Sequence, residues 1–74
     1  MADGFVHTVY KQGNWLNEIE GGSEIDSHYL TKDAAAAAGR TAAKARKTEH
    51  IIHNQDGTIS ERNSYGSDPV SRPG

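Results

Sequence analysis

TKDAAAAAGRTAAKARKT, residues 31–48, decides the fold. It holds eight of the chain's nine alanines, no proline and one glycine, Gly39. Alanine loses no side-chain entropy in a helix, so this is a strong helix-forming run. Thr31 offers a hydroxyl to the free amides of a first turn, and Asp33 complements the positive end of the helix dipole. The full capping box is missing, because Ala34 stands three residues after Thr31. Lys44, Arg46 and Lys47 suit the negative end. The reading is one helix from Lys32 to about Thr48. At about 100° per residue, Ala34, Ala35, Ala38, Ala42 and Ala45 share one face, and Lys32, Arg40, Lys44 and Lys47 form another stripe. An alanine face has no bulk. It predicts close approach to a sheet that supplies the bulk through Phe5, Trp15, Ile19 and Tyr29. Nothing in the sequence accounts for Gly39, which in mid-helix costs up to ~1 kcal/mol against alanine.

Outward from the helix the pattern changes to strands. Residues 5–10, Phe-Val-His-Thr-Val-Tyr, are β-branched and aromatic. Gly13-Asn14 marks a turn. Over residues 15–20, Trp15, Asn17 and Ile19 alternate with Leu16, Glu18 and Glu20. Gly21-Gly22-Ser23 breaks this second strand, and Glu24 to Leu30 predicts a third. After the helix, residues 50–54 and 58–65 flank Asp56-Gly57, a hairpin signal. A two-residue loop there would pair His53 with Ser60. The expected architecture is α+β and two-layer: an antiparallel sheet of four to five strands with one helix packed on it, in the order β-β-(β)-α-β-β. Residues 5–66 make a single domain, with short tails at 1–4 and 67–74.

Composition sets the outer bounds. The chain has 74 residues, a formal net charge of −2 and no cysteine. Disulfide scaffolds and thiolate metal sites are excluded. No run approaches the ~20 apolar residues of a membrane span, and no charged start with an apolar centre marks a signal peptide. The expectation is a soluble, cytoplasmic protein without membrane association. Hydrophobic residues make up 34% of the chain, too little for a large enzyme core. Charge is uneven: residues 1–31 carry −4, residues 32–47 carry +4 and residues 48–74 carry −2.

The order of motifs resembles a known family. A glycine turn precedes a tryptophan at Gly13-Asn14-Trp15, and Thr31-Lys32-Asp33-Ala34 opens the helix. Ile51-Ile52-His53-Asn54-Gln55-Asp56-Gly57-Thr58-Ile59 follows, and Ser64-Tyr65-Gly66 with Asp68-Pro69 closes the pattern. Over residues 5 to 69 this is similar to small bacterial proteins grouped as domain of unknown function 2188. The family implies the architecture and carries over no activity and no site residue.

Site by site, the residues point away from catalysis. His50 and His53 are three apart, which in a strand places them on opposite faces, so they cannot chelate together. His7 and His28 could meet one of them only through the strand order. No metal or cofactor is expected. Glu18, Glu20, Glu24 and Asp26 read as a solvated face, no serine lies in a nucleophile motif, and no glycine loop is built for phosphate. The expected function is a small non-enzymatic binding or protein-interaction module that associates with a protein partner or a second copy of itself. Its candidate surface is Val6, Tyr10 and Leu16. The second reading is weak, backbone-directed nucleic-acid binding through Lys32, Arg40, Lys44 and Lys47.

Overall fold

The computed structural model describes residues 4–65. Residues 1–3 and 66–74, which hold the predicted tails apart from Gly4 and the Gly66 and Asp68-Pro69 part of the closing motif, lie outside the described residues. The element order is β1 (Val6–Lys11), β2 (Asn14–Ile19), β3 (Ser23–Tyr29), α1 (Lys32–Arg46), β4 (Glu49–His53) and β5 (Ile59–Ser64). One helix lies on a five-stranded sheet of order β3-β2-β1-β4-β5. The predicted α+β, two-layer arrangement is present, and Glu24 to Leu30 does contribute a strand. The sheet is mixed, however, and not wholly antiparallel. β1 and β4 run parallel, with Val6 opposite His50 and Thr8 opposite Ile52. Local hairpin signals report neighbours in the chain; they carry no information on how β4 returns to β1.

The turns follow backbone conformation more than composition. β1 and β2 are joined by Gln12-Gly13, one residue earlier than predicted, with Lys11 opposite Asn14. Both loop residues have positive φ, 50° and 86°, as a two-residue turn that matches strand twist requires. The β4–β5 loop is longer than two residues. Gly57 N donates to Asn54 O, Asn54 N donates to Thr58 O, and His53 lies opposite Ile59 rather than Ser60. Asp56 accepts from both the amide and the hydroxyl of Thr58, holding Gly57 at φ 96°.

Thr31 caps α1 by accepting from Ala34 N at 3.1 Å. The helix ends at Lys47, which adopts the left-handed conformation at φ 56°. The buried helix residues are Ala35, Ala36, Gly39 and Ala43. This corrects the predicted face: Ala35 belongs to it, whereas Ala34 and Ala45 are exposed. The reason is Gly39. A Cβ built there would stand 2.6 Å from His50 Nε2, 2.7 Å from Thr8 Oγ1 and closer still to Asn17 Oδ1. The helix is turned so that its one residue without a side chain meets three polar side chains of the sheet.

Those three residues form a buried network, each fully excluded from solvent. Asn17 Nδ2 donates to Asp26 Oδ1 (3.0 Å) and to Ala35 O (2.9 Å). With both amide hydrogens used, Asn17 Oδ1 accepts, and Thr8 Oγ1 donates to it at 2.5 Å. The Thr8 hydroxyl has a single hydrogen, so at the 2.7 Å contact with His50 Nε2 the imidazole is the donor. Around this polar centre pack Val6, Trp15, Ala35, Ala36, Ala43 and Ile52. Asp26 reaches Asn17 because β3 is bulged against β2, which shifts the phase of its alternation by one residue.

Candidate functional site

α1 lies over β1, β2, β4 and the end of β3, and leaves β5 uncovered. β5 is an edge strand, paired with β4 alone. Thr48 O accepts from Tyr65 N. Counting back along the antiparallel ladder, Asn63 and Glu61 also face β4, and Arg62 and Ser64 turn their backbone N–H and C=O groups outward. The opposite edge, β3, is irregular: it is bulged twice against β2, and His28 has φ 73°. Bulges of that kind blunt an edge against further pairing. β5 carries one bulge, beside His53, and is regular from Glu61 to Ser64; among the described residues it is therefore the more open edge of this sheet.

Between α1 and β5 runs a groove of about 300 Å³, lined by Lys32, Asp33, Ala37, Arg40, Ile52 and Glu61 among others. The predicted basic stripe flanks it. Arg40 is exposed on its wall. Lys32 Nζ donates to Asn54 Oδ1 at 2.9 Å and Ser60 Oγ at 3.0 Å, bridging the helix start to the β4–β5 loop. Lys44 Nζ lies 5.5 Å from the centre of the Tyr65 ring, a cation–π contact at the far end of β5. Lys47, in its left-handed cap position, stands beyond the helical stripe.

The predicted surface of Val6, Tyr10 and Leu16 does not hold together. Val6 lies opposite Ile19 and Tyr10 opposite Trp15, so both point to the helix side; Leu16 lies opposite Val9 on the other face. Val6 is fully buried and Leu16 is 7% exposed, while Tyr10 packs its ring on Trp15 at 5.2 Å. The two-residue turn sets the parity: Lys11 opposite Asn14 places Tyr10 beside Trp15, and Leu16 falls on the reverse side. Among the described residues, the large apolar side chains that are exposed are Leu30 and Ile59, at 87% and 57%. Ile59 begins β5.

The acidic residues are dispersed. Glu18 pairs with Lys11 at 2.9 Å, Asp26 serves the buried network, and Glu20 approaches His7 at 3.7 Å. Among the described residues, no group of three or more His, Cys, Asp and Glu is arranged to hold a metal ion.

Histidines divide between the two faces, as the odd spacing of His50 and His53 predicts. His50 is inside. Burial pushes its imidazole below the ordinary value, Arg40 acts in the same direction, and Glu61 opposes. Its Nδ1 is buried without a hydrogen-bond partner, and an unpaired buried lone pair is less costly than an unpaired buried N–H⁺. His50 is therefore held neutral in the folded chain, and as pH falls toward and below about 6.5 it takes up a proton on unfolding. The sign follows: stability is lost as pH falls below the unfolded value of about 6.5, by at most about 1.4 kcal/mol per pH unit for this proton. Urea midpoints between pH 8 and pH 5 should fall for the wild type and fall less for His50→Gln; equal slopes would show that His50 is not the group responsible.

His53 lies on the open face of the sheet beside His7. His7 Nδ1 and His53 Nε2 are 2.9 Å apart, and His53 Nδ1 lies 3.2 Å from Gly57 O. This contact was invisible in the sequence because it depends on β4 pairing with β1.

The chain belongs to the family described as "Uncharacterized protein conserved in bacteria (DUF2188)", whose model matches residues 6–65. No curated protein and no solved structure matches it. Among the described residues, no helix is long and apolar enough to cross a membrane.

Proposed function

We propose that this member of an uncharacterised bacterial family is a non-enzymatic interaction module that docks an extended, acidic segment of a partner protein along β5. One observation carries the reading: among the described residues, β5 is an uncovered edge strand whose outward backbone groups lie beside a groove walled by Lys32 and Arg40, with Lys44 at its end. A partner strand would gain main-chain hydrogen bonds from Arg62 and Ser64, and its acidic side chains would face the helix cations. Pairing with a second copy is less well supported. A two-fold axis through the sheet keeps each face on its own side, so residues of like parity pair. The two registers that overlap most of β5 then centre on Glu61 or Arg62, and like charges directly opposite one another are destabilising. Nucleic-acid binding is supported less, because a nucleic acid has no peptide main chain to pair with the outward N–H and C=O groups of β5, the feature that carries the reading.

The test is capture from the native host on the immobilised full chain, with and without nuclease, beside the charge reversals Arg40→Glu and Lys44→Glu. A protein retained after nuclease and lost by at least about tenfold in the double reversal supports strand docking. Retention that disappears with nuclease selects the nucleic-acid reading. A dimer by light scattering, with nothing else captured, selects self-association.

A further inference from the structure

We propose that the segment docked on β5 is an antiparallel strand with two acidic residues two positions apart, read by Arg40 and Lys44, and a non-acidic residue two positions further toward its C-terminus. This rests on β5 as the docking strand and adds the sequence pattern of the partner. α1 runs alongside β5 from one end to the other. Lys32 Nζ lies 3.0 Å from Ser60 Oγ, and Lys44 Nζ lies 5.5 Å from the centre of the Tyr65 ring. Between them, Arg40 shares the groove with Glu61. Both also act on His50, which lies opposite Asn63, so Arg40 stands level with the Glu61–Asn63 stretch. Arg40 and Lys44 are one helical turn apart, about 6 Å of rise. Alternate residues of a strand are about 6.8 Å apart. Carboxylates at alternate strand positions therefore match cations on successive turns of α1.

Both cations are within reach of such a strand. They already extend to β5, and the next strand lies only about 4.8 Å further out. Among the described residues, Arg40 has no ion pair or hydrogen bond, and Lys44, set against one ring face, keeps ammonium hydrogens for an acceptor. Antiparallel pairing is slightly the more stable orientation per residue. In it, partner residues opposite Arg62 and Ser64 bond to the main chain and point to the uncovered face. Arg62 is already paired there with Glu49 at 2.9 Å. The residues opposite Asn63 and Tyr65 point to the helix side, where Arg40 and Lys44 stand. Asn63 is half-buried, and among the described residues its amide has no hydrogen-bond partner, so it can donate to a carboxylate opposite it. Glu61 is unpaired in the same sense. An acid opposite Glu61 would set two like charges against each other, and that position lies two residues C-terminal to the second acid.

Labelled synthetic peptides of threonine and valine, followed by fluorescence anisotropy as the full chain is added, test the pattern. A peptide with two glutamates two positions apart is expected to bind, its isomer with adjacent glutamates about threefold more weakly, and its glutamine version about tenfold more weakly. The preference between isomers should vanish in Arg40→Gln. A third glutamate, two positions toward the C-terminus, should weaken binding about threefold in the wild type and leave it unchanged in Glu61→Gln. N-methylation of the residue between the glutamates removes the main-chain donor to Ser64 and should abolish binding. Circular dichroism checks that each variant folds. Isomers that bind equally, with N-methylation still abolishing binding, overturn the pattern and leave docking on β5 standing. Binding indifferent to N-methylation is attraction by charge alone and overturns both. Binding to none of the peptides overturns the pattern; a native partner captured through Arg40 and Lys44 would then still support the docking itself.

Discussion

Gly39→Ala is expected to destabilise the domain by about 2–3 kcal/mol, although alanine is the better helix former. Intrinsic propensity alone would give a gain of up to ~1 kcal/mol. The added methyl, however, would lie 2.6 Å from His50 Nε2 and 2.7 Å from Thr8 Oγ1, with Asn17 Oδ1 nearer. None of these atoms ends a long flexible chain, and all three are tied to one another. Either the helix lifts from the sheet or the network breaks, and overpacking of this kind costs about 1–3 kcal/mol before any lost hydrogen bonds. For a domain of this size, the melting temperature should fall by roughly 10–20 °C. Thr41→Ala is the control, since it also raises propensity but lies on the exposed side of α1. Its melting temperature should be unchanged or slightly higher. A Gly39→Ala chain as stable as the wild type would show that the helix does not rest on this glycine.

Asn17→Ala is expected to cost about 3–4 kcal/mol. Asn17 accepts from Thr8 and donates to Asp26 and to the Ala35 carbonyl, and is itself fully buried. Truncation removes three hydrogen bonds and leaves Ala35 O and the Thr8 hydroxyl short of partners, at about 1–3 kcal/mol for each group left unsatisfied. A small domain has only roughly 4–11 kcal/mol in total, so the variant should unfold at a markedly lower urea concentration. The two substitutions are also coupled. Removing the Asn17 side chain takes away the atom nearest to the new methyl, so Gly39→Ala/Asn17→Ala should lose less than the sum of the singles, by about 1 kcal/mol or more. Strict additivity would mean that helix and amide do not meet as described.

Much of the fold could be read from local signals. The alanine-rich run, Thr31 as cap and the Asp56-Gly57 turn each act within a few residues, and each lies where its chemistry suggests. What could not be read depended on partners distant in sequence. The burial face of α1 is set by Gly39 meeting Thr8, Asn17 and His50, which come from three strands. The parallel β1–β4 pairing carries no turn signal of its own. It brings His7 to His53 and makes β5 the more open edge. The basic stripe was legible as a stripe; that it borders β5 was not, since strand order had to be known first. The Val6, Tyr10 and Leu16 surface failed through one residue of parity, fixed by the positive φ of Gln12 and Gly13.

The parallel pairing also sets an order of events. Three short turns close the β1–β2, β2–β3 and β4–β5 contacts locally, and short loops close fast. Only the β1–β4 ladder, with Val6 opposite His50, must bridge nearly the whole domain. Its closure entropy comes due before its hydrogen bonds form, which makes it the slow step of folding. On the ribosome, β1 through α1 emerge first, and β1 keeps one edge unpaired until residues 49–53 leave the exit tunnel. The central strand of the finished sheet is thus the last to be enclosed, and the nascent chain is most prone to wrong pairing in that interval.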